Sequence, residues 1–203
     1  MNNVDLKENL IRHYKKDAAI YDFNRRFFLF GRDQLVREID RYTKPNTILE
    51  IGCGTGSNLF KLCQIFPDAK ITGLDLSEDM LRVAQSKLLK QPNVTLQHDT
   101  FDENTVLPTV DLIVCSYITS TVPDIERFLS LVQQHLNPKG YLACVDFYRS
   151  NFKVFDQWIS HSIPIRTHFP DQALIERFQK NRFVVKRAYG GIWKYFYSIG
   201  QKR

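Results

Sequence analysis

The sequence has no uncharged apolar stretch of eighteen or more residues, and its first residues do not form an apolar signal-peptide core. A membrane-spanning helix needs about 20 apolar residues in a row, and a secretion signal needs an apolar centre of about 7–15 residues. The sequence therefore predicts neither feature, and we expect a cytoplasmic protein. Internal repeats and low-complexity segments are also missing, which excludes a solenoid and a disordered chain.

Cysteine is sparse, and its spacing excludes further classes. The four cysteines are Cys53, Cys63, Cys115 and Cys144. They lie far apart in apolar surroundings and match neither a zinc site nor a redox pair. The five histidines share no metal-ligand spacing either. We therefore expect reduced core thiols in a cytosolic protein and no metal.

Glycine is also scarce, at 9 of 203 residues, yet three glycines stand at alternate positions of one segment. They are Gly52, Gly54 and Gly56, and they follow an apolar strand that contains Glu50. Because glycine tolerates positive φ and has no Cβ, such a turn brings backbone N–H groups and a helix N-terminus close to a ligand. A dinucleotide-binding fingerprint needs its third glycine at the position of Ser57. The spacing therefore disfavours a nicotinamide-dependent oxidoreductase.

Further short strands follow at the spacing of βα units. Apolar runs end in Asp75, in Asp99 and in Ser116, and a turn at residues 136–141 leads into a fifth strand. The chain is 43% hydrophobic, which is enough for one domain with a sizeable core. Strands that alternate with helices predict an open, mainly parallel α/β sheet.

Taken together, residues 46–148 resemble the class I S-adenosylmethionine-dependent methyltransferases. The resemblance implies a Rossmann-like fold whose seven-stranded, mainly parallel sheet ends in a C-terminal antiparallel hairpin. It implies a methyltransferase domain at residues 45–203, preceded by an N-terminal helical cap at residues 1–44. S-adenosylmethionine is the implied cofactor, with S-adenosylhomocysteine as its product and no metal.

The same resemblance implies which residues hold the cofactor. Asp75 accepts from both ribose hydroxyls, Leu76 lies against the adenine face, and Asp99 takes the exocyclic amine of adenine. The whole implied set is Tyr14, Arg25, Glu50, Gly52, Cys53, Gly54, Gly56, Asn58, Asp75, Leu76, Met80, Asp99, Thr100, Phe101, Ser116 and Tyr117.

Charge is unevenly distributed along the chain. Residues 1–44 hold ten Lys/Arg against seven Asp/Glu, residues 45–148 hold seven against twelve, and residues 149–203 hold eleven against three. Basic flanks around an acidic core predict an anionic partner, which is a nucleic acid, a phosphorylated or carboxylated small molecule, or a lipid surface. The alternative is a basic surface that serves only solubility.

The N-terminal segment helps to distinguish among these possible partners. Four apolar residues recur every fourth position and predict an amphipathic helix over residues 4–20; they are Leu6, Leu10, Tyr14 and Ala18. The apolar run at residues 27–30 is flanked by arginines. Such a run suits an interfacial lid, and it also suits a cap packed over the cofactor.

Residues 21–35 are similar to the N-terminal signature of bacterial N-methyltransferases that make the betaine lipid diacylglyceryl-trimethylhomoserine. This narrower resemblance implies an amine acceptor linked to lipid, diacylglyceryl-homoserine, methylated in peripheral contact with an anionic membrane. Two other functions stay open, namely methylation of a soluble small molecule and nucleic-acid binding. The latter is disfavoured because the basic residues are scattered without an aromatic platform motif.

Methyl transfer depends chiefly on aligning donor and acceptor, so few catalytic residues are expected. Tyr117 follows the fourth strand, whose end faces the transferred methyl in this family, and Tyr21 is expected to close over the methionine moiety. His98, which adjoins Asp99, and His168, which lies in the loop at residues 164–170, are the proton-relay candidates. Aromatic faces attract a quaternary ammonium, and the aromatic residues on the flanks or after strand ends are Tyr14, Tyr21, Tyr117, Phe147, Tyr148, Trp158, Trp193 and Tyr195.

The C-terminal part predicts a loop-rich insertion over residues 147–170 and then a helix that ends at Phe178. Two strands at residues 183–189 and 193–199 follow, separated by Gly190 and Gly191. A glycine pair between alternating strands is a hairpin signal.

Overall fold

The computed structural model describes residues 29–150, residue 174 and residues 176–203. Leu174, Glu176 and Arg177 are helical, and four further helices and seven strands are described in full within these ranges. In chain order they are α1 Arg32–Ile39, β1 Thr47–Ile51, α2 Ser57–Ile65, β2 Lys70–Asp75, α3 Glu78–Leu88, β3 Val94–His98, β4 Val110–Ser116, α4 Ile125–Gln134, β5 Leu136–Ser150, β6 Phe178–Ala188 and β7 Trp193–Lys202. A short 3₁₀ turn, Tyr189–Gly191, joins β6 to β7.

The seven strands form one sheet in the order β3-β2-β1-β4-β5-β7-β6. Strands β1 to β5 are parallel, and β7 runs antiparallel to both β5 and β6. The predicted seven-stranded, mainly parallel sheet with a C-terminal antiparallel hairpin is therefore confirmed. Strand β1 lies where the chain order reverses, between β2 and β4, and ligands of open α/β sheets bind beyond the carboxyl ends of such strands.

Helices cover the two faces of the sheet. Alternate residues of β4 point to opposite faces, so Leu112 packs with α1, α2 and α3 while Ile113 packs with α4. Both faces of the central strands are covered, which explains why β4 is apolar almost throughout. All four cysteines are buried and unpaired, as expected for core thiols.

The C-terminal part differs from the sequence prediction. Strand β5 continues to Ser150, so Phe147 belongs to the sheet and not to a loop. Leu174, Glu176 and Arg177 are helical, so the predicted end of the helix at Phe178 is correct to within one residue. Strand β6 begins at Phe178 and not at the predicted residue 183, because the backbone of Phe178 pairs with Lys202 of β7. Pairing with a distant strand decides this segment, and local periodicity does not report such pairing. Most of the predicted insertion, residues 151–170, lies outside the described residues.

Part of the predicted N-terminal cap is described. Helix α1 buries Leu35, Val36 and Ile39 against the sheet, so this segment is integral to the core. The amphipathic helix predicted for residues 4–20 lies outside the described residues, and the domain boundary at residues 44/45 stays a prediction. In the described part of the chain, no helix has the length and apolar character needed to cross a bilayer.

Candidate active site

The turn after β1 is built from three glycines in the left-handed conformation. Their φ angles are 69° at Gly52, 53° at Gly54 and 74° at Gly56. A methyl group added at Gly52 would overlap the side chain of Ile118, and one added at Gly56 would lie 3.0 Å from Leu88 Cδ1. One added at Gly54 would meet no described atom within 4 Å. Gly52 and Gly56 therefore permit close packing, whereas Gly54 borders the open space in which a ligand fits.

Asp75 ties this turn to the end of β2. Its Oδ2 accepts a hydrogen bond from the backbone N–H of Gly54 at 2.7 Å, and its Oδ1 accepts from the N–H of Ser77 at 2.9 Å. Burial raises the pKa of Asp75, and the two backbone hydrogen bonds act in the opposite direction. Each oxygen of an ionised carboxylate accepts two hydrogen bonds. The anchored carboxylate can therefore still accept from a diol, as the predicted ribose contact requires.

A buried polar chain joins β1, α2 and β4 beneath the glycine turn. Asn58 Nδ2 donates to Glu50 Oε1 at 2.8 Å and to Ser116 Oγ at 2.9 Å. Glu50 Oε2 and Asn58 Oδ1 are also buried but have no hydrogen-bond partner among the described residues. Buried acceptors without donors are costly. A ligand that brings N–H donors to this point, such as the methionine ammonium of S-adenosylmethionine, fits the arrangement.

Burial raises the pKa of Glu50 to about 8, opposed by the hydrogen bond from Asn58 and by the positive charge of Arg32. Arg32 opens α1, and its influence on Glu50 was not predicted from the sequence. The only sequence signal is its place in an arginine-rich segment before the first strand.

The end of β3 contributes the other predicted cofactor residues. Asp99 is exposed; its Oδ1 accepts from the N–H of Thr100 at 2.7 Å, and its own N–H donates to the carbonyl oxygen of Asp75 at 3.2 Å. The ends of β2 and β3 are thus held together. The Phe101 ring packs at 5.6 Å from the Phe128 ring, measured between centroids, so it contacts the core on the side of α4.

Tyr117 follows β4 directly and has a strained backbone, with φ at 59°. Its N–H donates to the carbonyl oxygen of Val145 at 2.8 Å, and its hydroxyl donates to the carbonyl oxygen of Phe30 at 2.8 Å. The ring stands edge-on to Phe147, with centroids 5.0 Å apart. Burial raises the pKa of Tyr117 well above its ordinary value, so the phenol is neutral and its hydrogen is already donated.

The loop after Tyr117 is held by Asp146, which sequence reasoning missed. This carboxylate is fully buried and accepts from Thr119 Oγ1 at 2.6 Å and from the N–H of Ser120 at 2.8 Å. Burial raises the pKa of Asp146, and these hydrogen bonds oppose the rise. The available signal is a lone acidic residue inside the apolar run at residues 142–147.

Six aromatic side chains gather beside Tyr117 and form what we call the aromatic cluster: Phe30, Tyr117, Phe147, Tyr189, Trp193 and Tyr195. Four of these were predicted as aromatic residues near the acceptor, whereas Phe30 was predicted only as part of the apolar run at residues 27–30 and Tyr189 only as the end of a strand. Tyr148 was also singled out but lies on the opposite face, where it contacts Phe183 and Phe196. The cluster adjoins the strand end that carries Ser116.

The described part of the predicted site is therefore gathered at one edge of the sheet. Glu50, Asp75, Asp99 and Ser116 lie within one residue of the carboxyl ends of β1 to β4. Cys53 and Met80 are buried beside them. Four predicted residues lie outside the described ranges: Tyr14, Tyr21, Arg25 and His168. Among the described residues, no group of three His, Cys, Asp or Glu side chains could hold a metal ion.

Part of the chain matches a known protein family. A family model described as a methyltransferase domain matches residues 49–142, which run from the glycine turn into β5. Residues 49–142 therefore form a methyltransferase domain of the class I S-adenosylmethionine-dependent family. The expected cofactor is thereby confirmed at the level of the family.

Two curated methyltransferases align with most of the chain. Malonyl-[acyl-carrier protein] O-methyltransferase of Halalkalibacterium halodurans is 31% identical over 150 residues, which are 70% of this chain and 55% of the relative. Demethylmenaquinone methyltransferase of Listeria monocytogenes is 29% identical over 62% of this chain and 56% of the relative. The chain thus spans little more than half the length of these relatives.

Among solved structures, the N-methyltransferase NodS of Bradyrhizobium japonicum, in complex with S-adenosylhomocysteine, has a similar fold. It superposes with a TM-score of 0.79 over 96% of this methyltransferase chain and 98% of its own, at 16% identity. The likeness establishes the Rossmann-like fold.

Proposed function

We propose that this protein transfers methyl groups from S-adenosylmethionine to an amine on a lipid headgroup of the diacylglyceryl-homoserine type, at the membrane surface. The observation that carries the choice of an amine is the aromatic cluster beside the end of β4. Aromatic faces attract cations by about 0.5–2 kcal/mol, and repeated N-methylation ends in a quaternary ammonium.

In this proposal the residues beneath the glycine turn hold the cofactor, which supplies an electrophilic methyl group on sulfur. The open side of Gly54 admits it, Asp75 accepts from its ribose, and Asp99 accepts from its adenine amine. The unpartnered oxygens Glu50 Oε2 and Asn58 Oδ1 accept from its ammonium. Each role follows from an acceptor atom or an open space that these residues present.

The acceptor amine must be neutral to attack the methyl group. An α-amino group has a pKa of about 8, so its deprotonation near pH 7 costs only ~1.4 kcal/mol. A strong general base is therefore unnecessary, and positioning supplies most of the rate enhancement. The Tyr117 hydroxyl is donated to Phe30, so in this proposal Tyr117 contributes its ring and not its oxygen. Tyr21 and His168 stay predicted catalytic residues.

A second candidate function is supported by the sequence relatives. Malonyl-[acyl-carrier protein] O-methyltransferase is 31% identical to the chain and is named for a carboxylate acceptor, whereas demethylmenaquinone methyltransferase is named for a quinone. Aromatic side chains also pack well against an apolar acceptor. Methylation of a soluble or quinone-type acceptor is therefore the alternative.

Transfer of labelled methyl groups from S-adenosylmethionine distinguishes these functions. The purified full chain is incubated separately with diacylglyceryl-homoserine, with a demethylated quinone, and with a soluble metabolite extract, and products are identified by mass spectrometry. We expect mass increments of one to three methyl groups on the homoserine lipid. Label in the quinone or the soluble extract alone would contradict the lipid-amine proposal and favour the alternative. No transfer to any acceptor would contradict both.

A further inference from the structure

The C-terminal hairpin extends beyond the edge of the parallel sheet at which the cofactor residues lie. Strand β4 ends at Ser116, opposite Val145 of β5, but β5 continues to Ser150, which pairs with Trp193. At ~3.3 Å per residue, five further residues extend the strand by about 16 Å. The turn between β6 and β7 therefore projects outward on the side of the sheet from which an acceptor must enter.

Two apolar side chains are exposed at the tip of this hairpin. Tyr189 is 47% exposed and Ile192 is 41% exposed. Between them stand Gly190 and Gly191, whose lack of side chains leaves the two residues prominent. Tyr189 also has a φ of 45°, a conformation that a bulky residue adopts only at a cost. We call residues 189–192 the hairpin tip.

Three cations lie in register across the strands that carry the tip. Arg149 of β5 pairs with Lys194 of β7, and Lys194 pairs with Arg187 of β6. Paired residues share one face of a sheet, and like charges directly opposite each other are destabilising. None of the three has an ion-pair partner among the described residues, and residues 177–203 contain no Asp or Glu. We call these residues the cation row, and its repulsion favours an anionic partner.

We propose that the hairpin tip and the cation row dock on an anionic lipid bilayer, with Tyr189 and Ile192 at the level of the headgroups and the cation row facing the phosphates. Aromatic residues concentrate at this depth of a bilayer, and cations near its surface are attracted within a Debye length. A nucleic acid would engage the cations but leaves the two apolar side chains without a role. The proposal rests on the proposed function only in that docking brings the acceptor edge to a lipid substrate.

The test is sedimentation of the full chain with mixed phosphatidylcholine and phosphatidylglycerol vesicles. The tip variant combines Tyr189→Asn, since asparagine tolerates positive φ, with Ile192→Ser. We expect it to bind roughly tenfold more weakly than the unaltered chain. The matched control is Leu89→Ser, because Leu89 is 79% exposed and follows α3, which packs beside β2 and β3 at the other side of the sheet.

A charge variant tests the cation row. Lys194→Glu, in the middle of the row, relieves the repulsion between neighbouring strands, so its melting temperature should stay unchanged or rise while vesicle binding falls about tenfold or more. Lys90→Glu makes the same change in net charge beside Leu89 and should retain most of the binding. If Lys194→Glu weakens vesicle binding without lowering the melting temperature, Lys194 acts in docking and not in stabilising the fold.

Three results would overturn the docking proposal. In the first, the tip variant and Lys194→Glu bind vesicles as tightly as the unaltered chain. In the second, the controls Leu89→Ser and Lys90→Glu lose as much vesicle binding as the variants do. In the third, the unaltered chain binds nucleic acid tightly and does not bind vesicles. Vesicle binding is measured without acceptor or cofactor, so its outcome is independent of methyl transfer. A chain that docks as expected but methylates only a soluble or quinone acceptor would contradict the proposed function and leave the docking surface intact.

Discussion

Tyr117 donates its phenolic hydrogen to the carbonyl oxygen of Phe30 at 2.8 Å, across 87 positions of sequence. This hydrogen bond connects the segment before α1 to the end of β4, where the transferred methyl group is expected. The same segment places the Phe30 ring 5.9 Å from the Tyr195 ring, between centroids. The residues just before α1 therefore pack as part of the aromatic cluster.

The hydroxyl and the ring of Tyr117 can be separated by substitution. Tyr117→Phe removes one hydrogen bond and should destabilise the protein by about 1 kcal/mol while retaining most of the turnover. Tyr117→Ala also removes the ring that contacts Phe147, and it should lower kcat more than cofactor affinity, because a group that orients the reaction acts mainly in the transition state. Steady-state kinetics and chemical denaturation measure both effects. Loss of turnover in Tyr117→Phe with cofactor affinity unchanged would instead assign the hydroxyl a part in proton transfer.

Gly54 and Gly190 provide a matched pair of glycines. Both have positive φ, at 53° and 65°, and an added methyl group meets no described atom within 4 Å at either position. Alanine in this conformation costs on the order of 1 kcal/mol at each site. We expect both alanine variants to lose similar stability, but only Gly54→Ala should lose affinity for S-adenosylhomocysteine, by about tenfold or more, because its methyl group enters the ligand space. Isothermal titration calorimetry measures the affinities, and equal affinities in the two variants would contradict this assignment.

The sequence allowed the strand ends to be predicted because their signals are local. Gly52, Gly54 and Gly56 require positive φ within one turn, and Asp75 follows an apolar run directly. Residues at the ends of adjacent parallel strands necessarily come together at one edge. This is why the candidate cofactor residues could be expected at one edge of the sheet without knowledge of the tertiary structure.

Other features depend on contacts between distant segments and leave weaker signals. The pairing of Phe178 with Lys202 starts β6 five residues before the predicted strand, which began at residue 183. The contact of Phe30 with Tyr189 forms only once the hairpin is in place. Asp146 is the instructive case, since an acidic residue in an apolar strand indicates a buried hydrogen-bond network, but its partners Thr119 and Ser120 could be named only from the structure.

Asp75 should be needed for cofactor affinity. Asp75→Ala removes the acceptor for two ribose hydroxyls and also frees the N–H of Gly54, so binding of S-adenosylhomocysteine should weaken by about 1–3 kcal/mol. The control is Asp79→Ala, which removes a carboxylate paired with Arg82 in the first turn of α3. Calorimetric titration of both variants is the measurement. Similar affinities in the Asp75 and Asp79 variants would show that the ribose contact lies elsewhere.

Glu50 should couple cofactor binding to proton release. Burial, together with the negative charge of Asp75, raises its pKa to about 8, although the hydrogen bond from Asn58 and the positive charges of Arg32 and Lys61 act in the opposite direction. In the cofactor-free protein at pH 7 the carboxyl group is therefore mostly protonated. A ligand ammonium placed beside it favours the ionised form, so binding should release about one proton. Titration calorimetry in buffers of different ionisation enthalpy measures that number.

The pH dependence has a definite sign. The unfolded chain loses the Glu50 proton near pH 4.3, whereas the folded, cofactor-free chain keeps it up to about pH 8. The folded state binds more protons between these values, so the free energy of unfolding should fall as pH rises through this window. Glu50→Gln removes the titrating group, and it should flatten this fall, abolish proton release and weaken cofactor binding. Asp146→Asn is a useful comparison, because it alters another buried carboxyl group but none of the residues beneath the glycine turn. It should leave proton release at pH 7 unchanged. Binding enthalpies that do not depend on the buffer in the unaltered protein would contradict the coupling, since the ammonium would then bind without displacing the proton of Glu50.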